Sequence, residues 1–213
     1  MKTTVIIPTM NEEKAIVPII KSISKKFEVV VIDKSTDKTP YVAKKAGAKV
    51  FRQRTTGKGS AMIEVAKKVK SDIIVFLDGD GTYPTNKISE LVSYITKSNY
   101  DLVYGARRPV KGSMSLSHRF GNWVFRTIAS VLYRPTTDLL TGMFAIKRDK
   151  FLELDLISKG FEMETEIFIK SFKNNLKIKE VPIPYYKRLG EKKINDFSDG
   201  FNILKMLISQ KFK

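Results

Sequence analysis

Short apolar runs alternate with helix-patterned stretches through the first hundred residues. That alternation constrains the fold more than any other feature of the chain. Residues 3–7, 28–32, 49–52 and 73–77 are strand-length runs, most of them rich in β-branched side chains. Between them, Ala15, Ile16, Ile19, Ile20 and Ile23 follow helical spacing, as do Ala61, Met62, Val65, Ala66 and Val69. Thr9, Met10 and Asn11 supply capping residues ahead of the first helix, and Pro8 ends the first strand. Pro40 opens a further helix that Gly47 stops. This order predicts an α/β fold with a mostly parallel central sheet, right-handed crossovers and flanking helices. In such sheets ligands bind outside the carboxyl ends of the strands. Residues 8–12, 33–37 and 78–80 all fall at such ends, so they are expected to line one crevice.

Asp78-Gly79-Asp80 is the sharpest chemical signal in that crevice. Two carboxylates two residues apart raise each other's pKa unless a cation sits between them. A hard divalent cation with oxygen ligands resolves the conflict, and magnesium usually keeps a substrate phosphate as a further ligand. The same tripeptide also suits a plain surface turn. An Asp-x-Asp pattern alone does not separate the two readings.

Composition narrows the chemistry. The 213 residues contain no cysteine and one histidine, His118. Thiolate chemistry, disulfides and multi-histidine metal sites are therefore excluded. No run approaches the roughly 18 apolar residues of a membrane span. The N-terminus enters a strand within three residues, without a signal-peptide pattern, so a cytoplasmic location is expected. The net charge is +17. It is spread evenly: +8 over residues 1–100 (18 basic, 10 acidic) and +9 over residues 101–213 (21 basic, 12 acidic). Nucleic acid, an anionic membrane surface and phosphate-bearing substrates all fit such a charge. Lysine-rich solvated helix faces fit it too. Nucleic acid is disfavoured, because the charge is not clustered and no helix-turn-helix, zinc or RNA-recognition motif is present.

After Pro84, Ile88, Leu91, Val92 and Ile95 mark a helix. Residues 101–105 read as a strand followed by Arg107 and Arg108, and 110–118 as a loop. Residues 119–133 read as an apolar helix and 143–146 as a strand. Phe161 opens a helix carrying Glu162, Glu164 and Glu166. Pro182 and Pro184 demote residues 177–185 to an edge strand. Phe197, Phe201, Leu204, Leu207 and Ile208 give the C-terminal helix one apolar face. No repeat or linker is visible, and residues 1–213 read as one domain.

These pieces form a set in a familiar order. Pro8-Thr9-Met10-Asn11-Glu12, Asp33 to Asp37, Gly57-Lys58-Gly59 and Asp78-Gly79-Asp80 resemble the nucleotide-sugar half of family-2 inverting glycosyltransferases, whose fold is called GT-A. Gly105-Ala106-Arg107, Ser117 to Asn122, Asp138 to Gly142, Phe161 to Glu166 and Arg188-Leu189-Gly190-Glu191 resemble the dolichol-phosphate mannose synthase and polyprenyl-phosphate glycosyltransferase branch. The resemblance covers nearly the whole chain. There are departures. Thr82 stands where the family often has Gln, and Gly190-Glu191-Lys192-Lys193 stands where it has Gly-Glu-Ser-Lys. Many relatives continue into membrane helices, where this sequence stops at Lys213.

The resemblance implies a GT-A domain with a nucleotide-sugar half (1–100) and an acceptor half (101–213). It implies transfer of a hexose from GDP-mannose, UDP-glucose or UDP-N-acetylglucosamine to a polyprenyl (dolichyl) phosphate. Asp78 and Asp80 would hold Mg²⁺ or Mn²⁺. Pro8, Thr9, Glu12 and Asp33 would hold the nucleoside, with Ser35, Lys58 and Gly79 completing the donor set and Asp33 accepting base or ribose hydrogen bonds. An ionised lipid phosphate needs cations to hold it and no general base, its second pKa being about 6. Arg107, Arg119 and Arg188 are the candidates, because guanidinium forks match phosphate. Asp138 is expected to orient the acceptor or the loop at Thr141-Gly142. Glu162 and Glu166, one helical turn apart, are expected to meet sugar hydroxyls or arginines, and His118 to be exposed. For most residues of helices 119–133 and 196–211 core packing is expected. Trp123 and Phe125, with nearby lysines, also suit an anionic membrane surface, which would make the protein peripheral at the cytoplasmic face. A family-2 enzyme with a soluble acceptor such as phosphoglycerate remains the alternative.

Overall fold

The computed structural model describes residues 1–190 and 196–211. The expectations for Glu191, Lys192 and Lys193, and for the Phe197 side chain, lie outside the described residues.

The first half is built as strand–helix repeats. They are β1 (Thr3–Thr9), α1 (Ile16–Ser22), β2 (Glu28–Asp33), α2 (Thr39–Lys45), β3 (Lys49–Arg52), α3 (Lys58–Lys68) and β4 (Ile73–Phe76). A 3₁₀ turn then leads into α4 (Ile88–Ser98) and β5 (Leu102–Pro109). The second half adds α5 (Leu116–Leu132), β6 (Phe144–Lys147), α6 (Arg148–Glu153), α7 (Met163–Lys173), β7 (Ile178–Tyr185) and α8 (Asp196–Ser209). The seven strands form one sheet in the order β3-β2-β1-β4-β6-β5-β7. Strand β6 runs antiparallel to both its neighbours, and the other pairings are parallel. The chain moves outward from β1 to β3, then returns to β4 on the other side of β1. That reversal opens a crevice at the carboxyl ends of β1 and β4.

The central strands are apolar at every position because helices cover both faces. Val5, Ile7, Val31, Val75 and Leu77 point to one face and pack with α1, α2 and α4. Ile6, Val30, Ile32, Ile74 and Phe76 point to the other, toward α3, α6 and α7. Phe76, Phe144 and Phe151 anchor the second layer, with Phe76 5.1 Å from each of the other two ring centroids. A third, smaller cluster joins Ala129 of α5, Phe168 and Ile169 of α7, and Ile203 and Leu207 of α8.

Several boundaries differ from the sequence reading. Pro8 does not end β1, which continues to Thr9 opposite Asp33. Pairing with β4 stops at Ile6–Phe76. The Pro8 nitrogen would face that side, so its missing N–H forfeits no ladder bond. Asn11 does not cap α1. It has φ +54° and accepts a hydrogen bond from the Thr36 amide, tying the first crossover to the β2 loop. Strand β5 runs on through Arg107 and Arg108, because β7 pairs along its whole length up to Pro109–Tyr185. Helix α5 starts at Leu116, where the Ser115 hydroxyl accepts the His118 amide. The core-packing reading of α5 holds only in part: Ala129 is buried and Phe125 and Ile128 pack on the third cluster, while Phe120, Trp123 and Val131 stay exposed. The edge position of β7 is as expected.

Asp101 fastens the far end of the sheet. It accepts Lys147 Nζ at 2.8 Å and the Lys177 amide at 2.9 Å, joining the starts of β5 and β7 to the end of β6. Burial pushes its pKa up, but Lys147 and the Lys177 amide outweigh this and hold it below its ordinary 3.8. A depressed folded pKa contributes stability above the unfolded value, lost as pH falls through the folded one. Asp101→Asn is expected to cost about 1–2 kcal/mol at neutral pH. The difference from wild type should shrink in acid, as the pH falls through that lowered folded pKa. Urea unfolding at neutral and at acid pH checks both parts; an equal deficit at both would remove Asp101 from the acid limb.

Candidate functional site

The carboxyl ends of β1, β2 and β4 bring together Thr9, Asp33 and Asp78, as the motif positions predict. Asp33 is fully buried. One of its oxygens accepts the Thr9 hydroxyl (2.8 Å) and the Ser35 hydroxyl. The other accepts the Ser35 amide (3.1 Å) and Arg52 (2.6 Å). A carboxylate has about four acceptor positions, so protein groups fill them all. Asp33 thereby holds Thr9, Ser35 and Arg52 in place around the crevice. Arg52 was not anticipated. It also reaches the Ser35 carbonyl, while its side chain stays largely exposed.

Asp78 and Asp80 sit on the turn after β4. Gly79 lets that turn press against β1, since a Cβ there would lie 3.0 Å from Thr9 Cγ2 and 3.1 Å from Ile7 Cγ2. Asp78 Oδ1 pairs with Lys58 Nζ at 2.7 Å. Asp80 Oδ1 accepts the Thr82 amide and hydroxyl, and Asp80 Oδ2 pairs with Arg188 at 2.7 Å. Thr82 therefore braces Asp80. Each carboxylate thus has a side-chain cation against it. Among the described residues no group of three or more His, Cys, Asp or Glu side chains gathers to hold a metal. The donor set nonetheless suits a hard cation: of the two carboxylates on this turn, Asp78 lines a cavity where further oxygen ligands would come from substrate, while Asp80 is buried against Thr82 and Arg188.

Residues 186–190, from the second half of the chain, strap this turn. The Leu189 amide donates to the Asp80 carbonyl and the Tyr186 amide to the Thr82 carbonyl, each at 2.9 Å. Leu189 packs on Gly81, whose φ of +80° and missing Cβ both matter: a Cβ would lie 2.8 Å from Leu189 Cδ1. Gly190 sits over buried Glu12, leaving no room for a side chain.

Lys58 opens α3 and bridges Asp78 to Glu164, 2.6 Å away on α7. Burial alone would lower the Lys58 pKa; the two carboxylates outweigh it and hold the ammonium charged. Burial raises the Glu164 pKa, and Lys58 opposes that shift. Glu164, rather than Glu162 or Glu166, is the carboxylate of α7 that lines the cavity. Glu162 instead accepts the Lys159 and Gly160 amides. Glu166 is buried on the Ile157 and Ser158 amides and pairs with Lys170. Both expectations for them are corrected. The phase was hidden because α7 is covered by the sheet on one side and α8 on the other, so nearly every position is buried.

Arg107 and Asp138 form a two-pronged buried pair: Nε to Oδ2 at 2.7 Å and a second nitrogen to Oδ1 at 2.8 Å. Burial would lower the Arg107 pKa, and Asp138 outweighs that. Asp138 also accepts the Arg107 amide, so it fixes Arg107 and is itself fully engaged. Beside it, Thr141 donates to the Gly105 carbonyl, and the Gly142 amide donates to the Tyr83 hydroxyl at 2.6 Å. Gly142 lies directly against Asp78, where a Cβ would fall 2.0 Å from Oδ2. Gly142→Ala is therefore expected to displace the Asp78 carboxylate and lower turnover about a hundredfold. Steady-state transfer assays check this, and wild-type kinetics would show that the Asp78 position is not critical.

Two cavities meet at Arg107, Met114 and Asn122. The first, of about 310 Å³, is lined by Lys58, Asp78, Tyr83, Glu164 and Arg188, among others. His118 faces it and is half-buried, not exposed as expected. The second, of about 200 Å³, holds Arg107, Arg108, Arg119 and Arg126 beside Trp123. The three expected arginines are thus distributed. Arg188 sits with the carboxylate pair, Arg119 in the second cavity, and Arg107 between them.

The crevice, the paired carboxylates and the mixed sheet define an α/β enzyme of the GT-A type, and comparison with known proteins agrees. The family model described as glycosyl transferase family 2 matches residues 4–155. A dolichyl-phosphate hexose transferase of Haloferax volcanii is 33% identical over 211 residues, 96% of this chain and 91% of that protein. A low-salt glycan biosynthesis hexosyltransferase of the same organism is 31% identical over 217 residues, covering 96% of this chain. The chain spans only 52% of that second relative's length. In fold, the chain is similar to glucosyl-3-phosphoglycerate synthase of Mycobacterium tuberculosis, solved with Mn²⁺, UDP-glucose and phosphoglyceric acid. The TM-score is 0.82 at 24% identity, over 99% of this chain and 80% of that one. The chain belongs to glycosyl transferase family 2 and is a glycosyltransferase.

Proposed function

We propose that this enzyme transfers a hexose from a nucleoside-diphosphate sugar to a polyprenyl phosphate at an anionic membrane surface, on its cytoplasmic face. The observation that carries the reading is the pair of joined cavities, one with the carboxylate turn and the other with four arginines. Residues 1–100 form the donor half, with Pro8, Thr9, Glu12, Ser35 and Arg52 around the nucleoside and Asp33 behind them. Residues 101–213 form the acceptor half.

Asp78 and Asp80 would hold Mg²⁺ or Mn²⁺, which offsets the charge growing on the departing diphosphate. Lys58 and Arg188 are placed to meet that diphosphate, since each already neutralises one carboxylate of the pair. Glu164 faces the space left for the sugar and accepts from its hydroxyls. Arg107, Arg108, Arg119 and Arg126 hold the acceptor phosphate and offset its repulsion from the donor. An oxygen of that phosphate attacks the anomeric carbon as the bond to the diphosphate breaks, and the configuration inverts. An ionised phosphate carries no proton to remove. The site matches this: Asp138 is tied to Arg107 and Glu164 to Lys58, so neither stands ready as a general base. The Haloferax relative named for dolichyl-phosphate hexose transfer, aligned over nearly its whole length, supports the lipid acceptor. The similarity to a phosphoglycerate enzyme is below 25% identity and speaks to fold alone.

Calorimetric titration with GDP- and UDP-linked sugars, with Mn²⁺ and then with chelator, tests the donor half. Metal-dependent binding of one of them is the expected result. Labelled transfer to a short-chain polyprenyl phosphate in detergent, beside 3-phosphoglycerate, tests the acceptor. Turnover of phosphoglycerate alone would overturn the lipid assignment.

A further inference from the structure

Helix α5 carries an apolar stripe that the fold leaves uncovered. Leu116, Phe120, Trp123 and Val131 follow the spacing of one helical face, with Thr127 between the last two. They are 80%, 65%, 53% and 79% exposed. The Phe120 and Trp123 rings stack with centroids 5.8 Å apart, so two large aromatic surfaces stand together in solvent. The opposite side of α5 is what touches the protein: Ala129 is buried there, with Phe125 and Ile128 packed on the third cluster. Four large apolar groups in one exposed line are more than scattered surface residues explain.

We infer that this stripe docks on an anionic lipid bilayer and seats the mouth of the arginine-lined cavity at headgroup level. The inference rests on the polyprenyl-phosphate reading and names the element that brings the enzyme to that acceptor. Two observations select lipid as the occupant. The first is charge. From residue 102 to residue 137 there are six Lys and Arg and no Asp or Glu. Arg119 and Arg126 flank the stripe on α5 itself, and Arg108 stands beside them in the second cavity. A basic helix with aromatic and aliphatic residues on its free face is the pattern of an interfacial helix. The second is continuity. Trp123 belongs both to the stripe and to the cavity lining, so the cavity opens beside the apolar face. A phosphate held by Arg119 and Arg126 would leave its hydrocarbon tail along the stripe. Among the described residues no helix is long and apolar enough to cross a membrane, so attachment by this face is in the plane of the bilayer.

The single tryptophan gives the test, because Trp123 is the only one in the chain. The full chain is mixed with phosphatidylglycerol vesicles and, separately, with phosphatidylcholine vesicles. The expected result is a blue shift of Trp123 emission and quenching by brominated acyl chains with the anionic vesicles. Both should be weaker with neutral vesicles and at high salt. Phe120→Glu and Val131→Glu should each lower partitioning about tenfold or more. Both sites are exposed, so circular dichroism and nucleotide-sugar binding should be unchanged. Unaltered emission with anionic vesicles overturns the inference. So does a shift that follows protein concentration without lipid, which would make the face a contact between two copies. Transfer to the detergent-dispersed short-chain acceptor is read separately. Transfer without vesicle binding sinks the docking face and leaves the proposed reaction standing, and vesicle binding without transfer does the reverse.

Discussion

Asp78→Ala is expected to lower hexose transfer by about a thousandfold or more and to leave folding nearly untouched. The two halves of that expectation have different causes. Transfer builds charge on the departing diphosphate, and loss of one of two carboxylates that would anchor a divalent cation removes several kcal/mol of stabilisation. Each 1.36 kcal/mol is tenfold in rate. Folding survives because Lys58 bridges two acids. With Asp78 gone, the Lys58 ammonium keeps Glu164 at 2.6 Å, so no buried charge loses its last partner. Transfer rates with labelled donor, measured beside thermal unfolding, separate the two. Turnover within tenfold of wild type would take Asp78 out of the metal role. A large fall in melting temperature would make it a scaffold residue instead.

The same geometry shows what the sequence could and could not yield. The crevice was legible because its parts are local: each motif closes its own strand, and parallel pairing puts those ends side by side. Thr9 opposite Asp33, with Ile6 opposite Phe76, is the register such a rule requires. The antiparallel β6 was not legible. Its direction is set by pairing with β4 and β5, whose residues lie some forty to seventy positions earlier in the chain. Arg107 looked like a residue beyond a strand because the extension of β5 depends on β7, another long-range partner. Helix α6 leaves no mark in the sequence, as its six residues are too few for a periodic signal. Glu164 was passed over for Glu162 and Glu166 because a helix buried all round has no polar face to give its phase away. The solvent-facing stripe of α5 failed in the opposite way: its spacing was visible, but hydrophobic spacing alone points equally to a core or to a face left open.

Arg107→Ala is expected to destabilise the protein by about 3–5 kcal/mol and to abolish measurable transfer. The guanidinium and the Asp138 carboxylate are each about nine-tenths buried and joined by two short hydrogen bonds. Removing the arginine strands a buried carboxylate, and the cost is that of desolvation without a partner. The Tyr185 ring, 5.4 Å from the guanidinium, loses its cation as well. The double variant Arg107→Met with Asp138→Leu should recover most of the lost stability, because a buried pair replaced by apolar groups of similar volume is often neutral. It should recover none of the activity. Arg107 lies where the carboxylate cavity meets the arginine cavity, and a methionine there cannot hold a phosphate. Urea unfolding and transfer assays on both variants therefore give opposite patterns for the two roles of one side chain. If stability and transfer returned together in the double variant, Arg107 would be a structural residue only, and the acceptor phosphate would have to be held by Arg108, Arg119 and Arg126 without it.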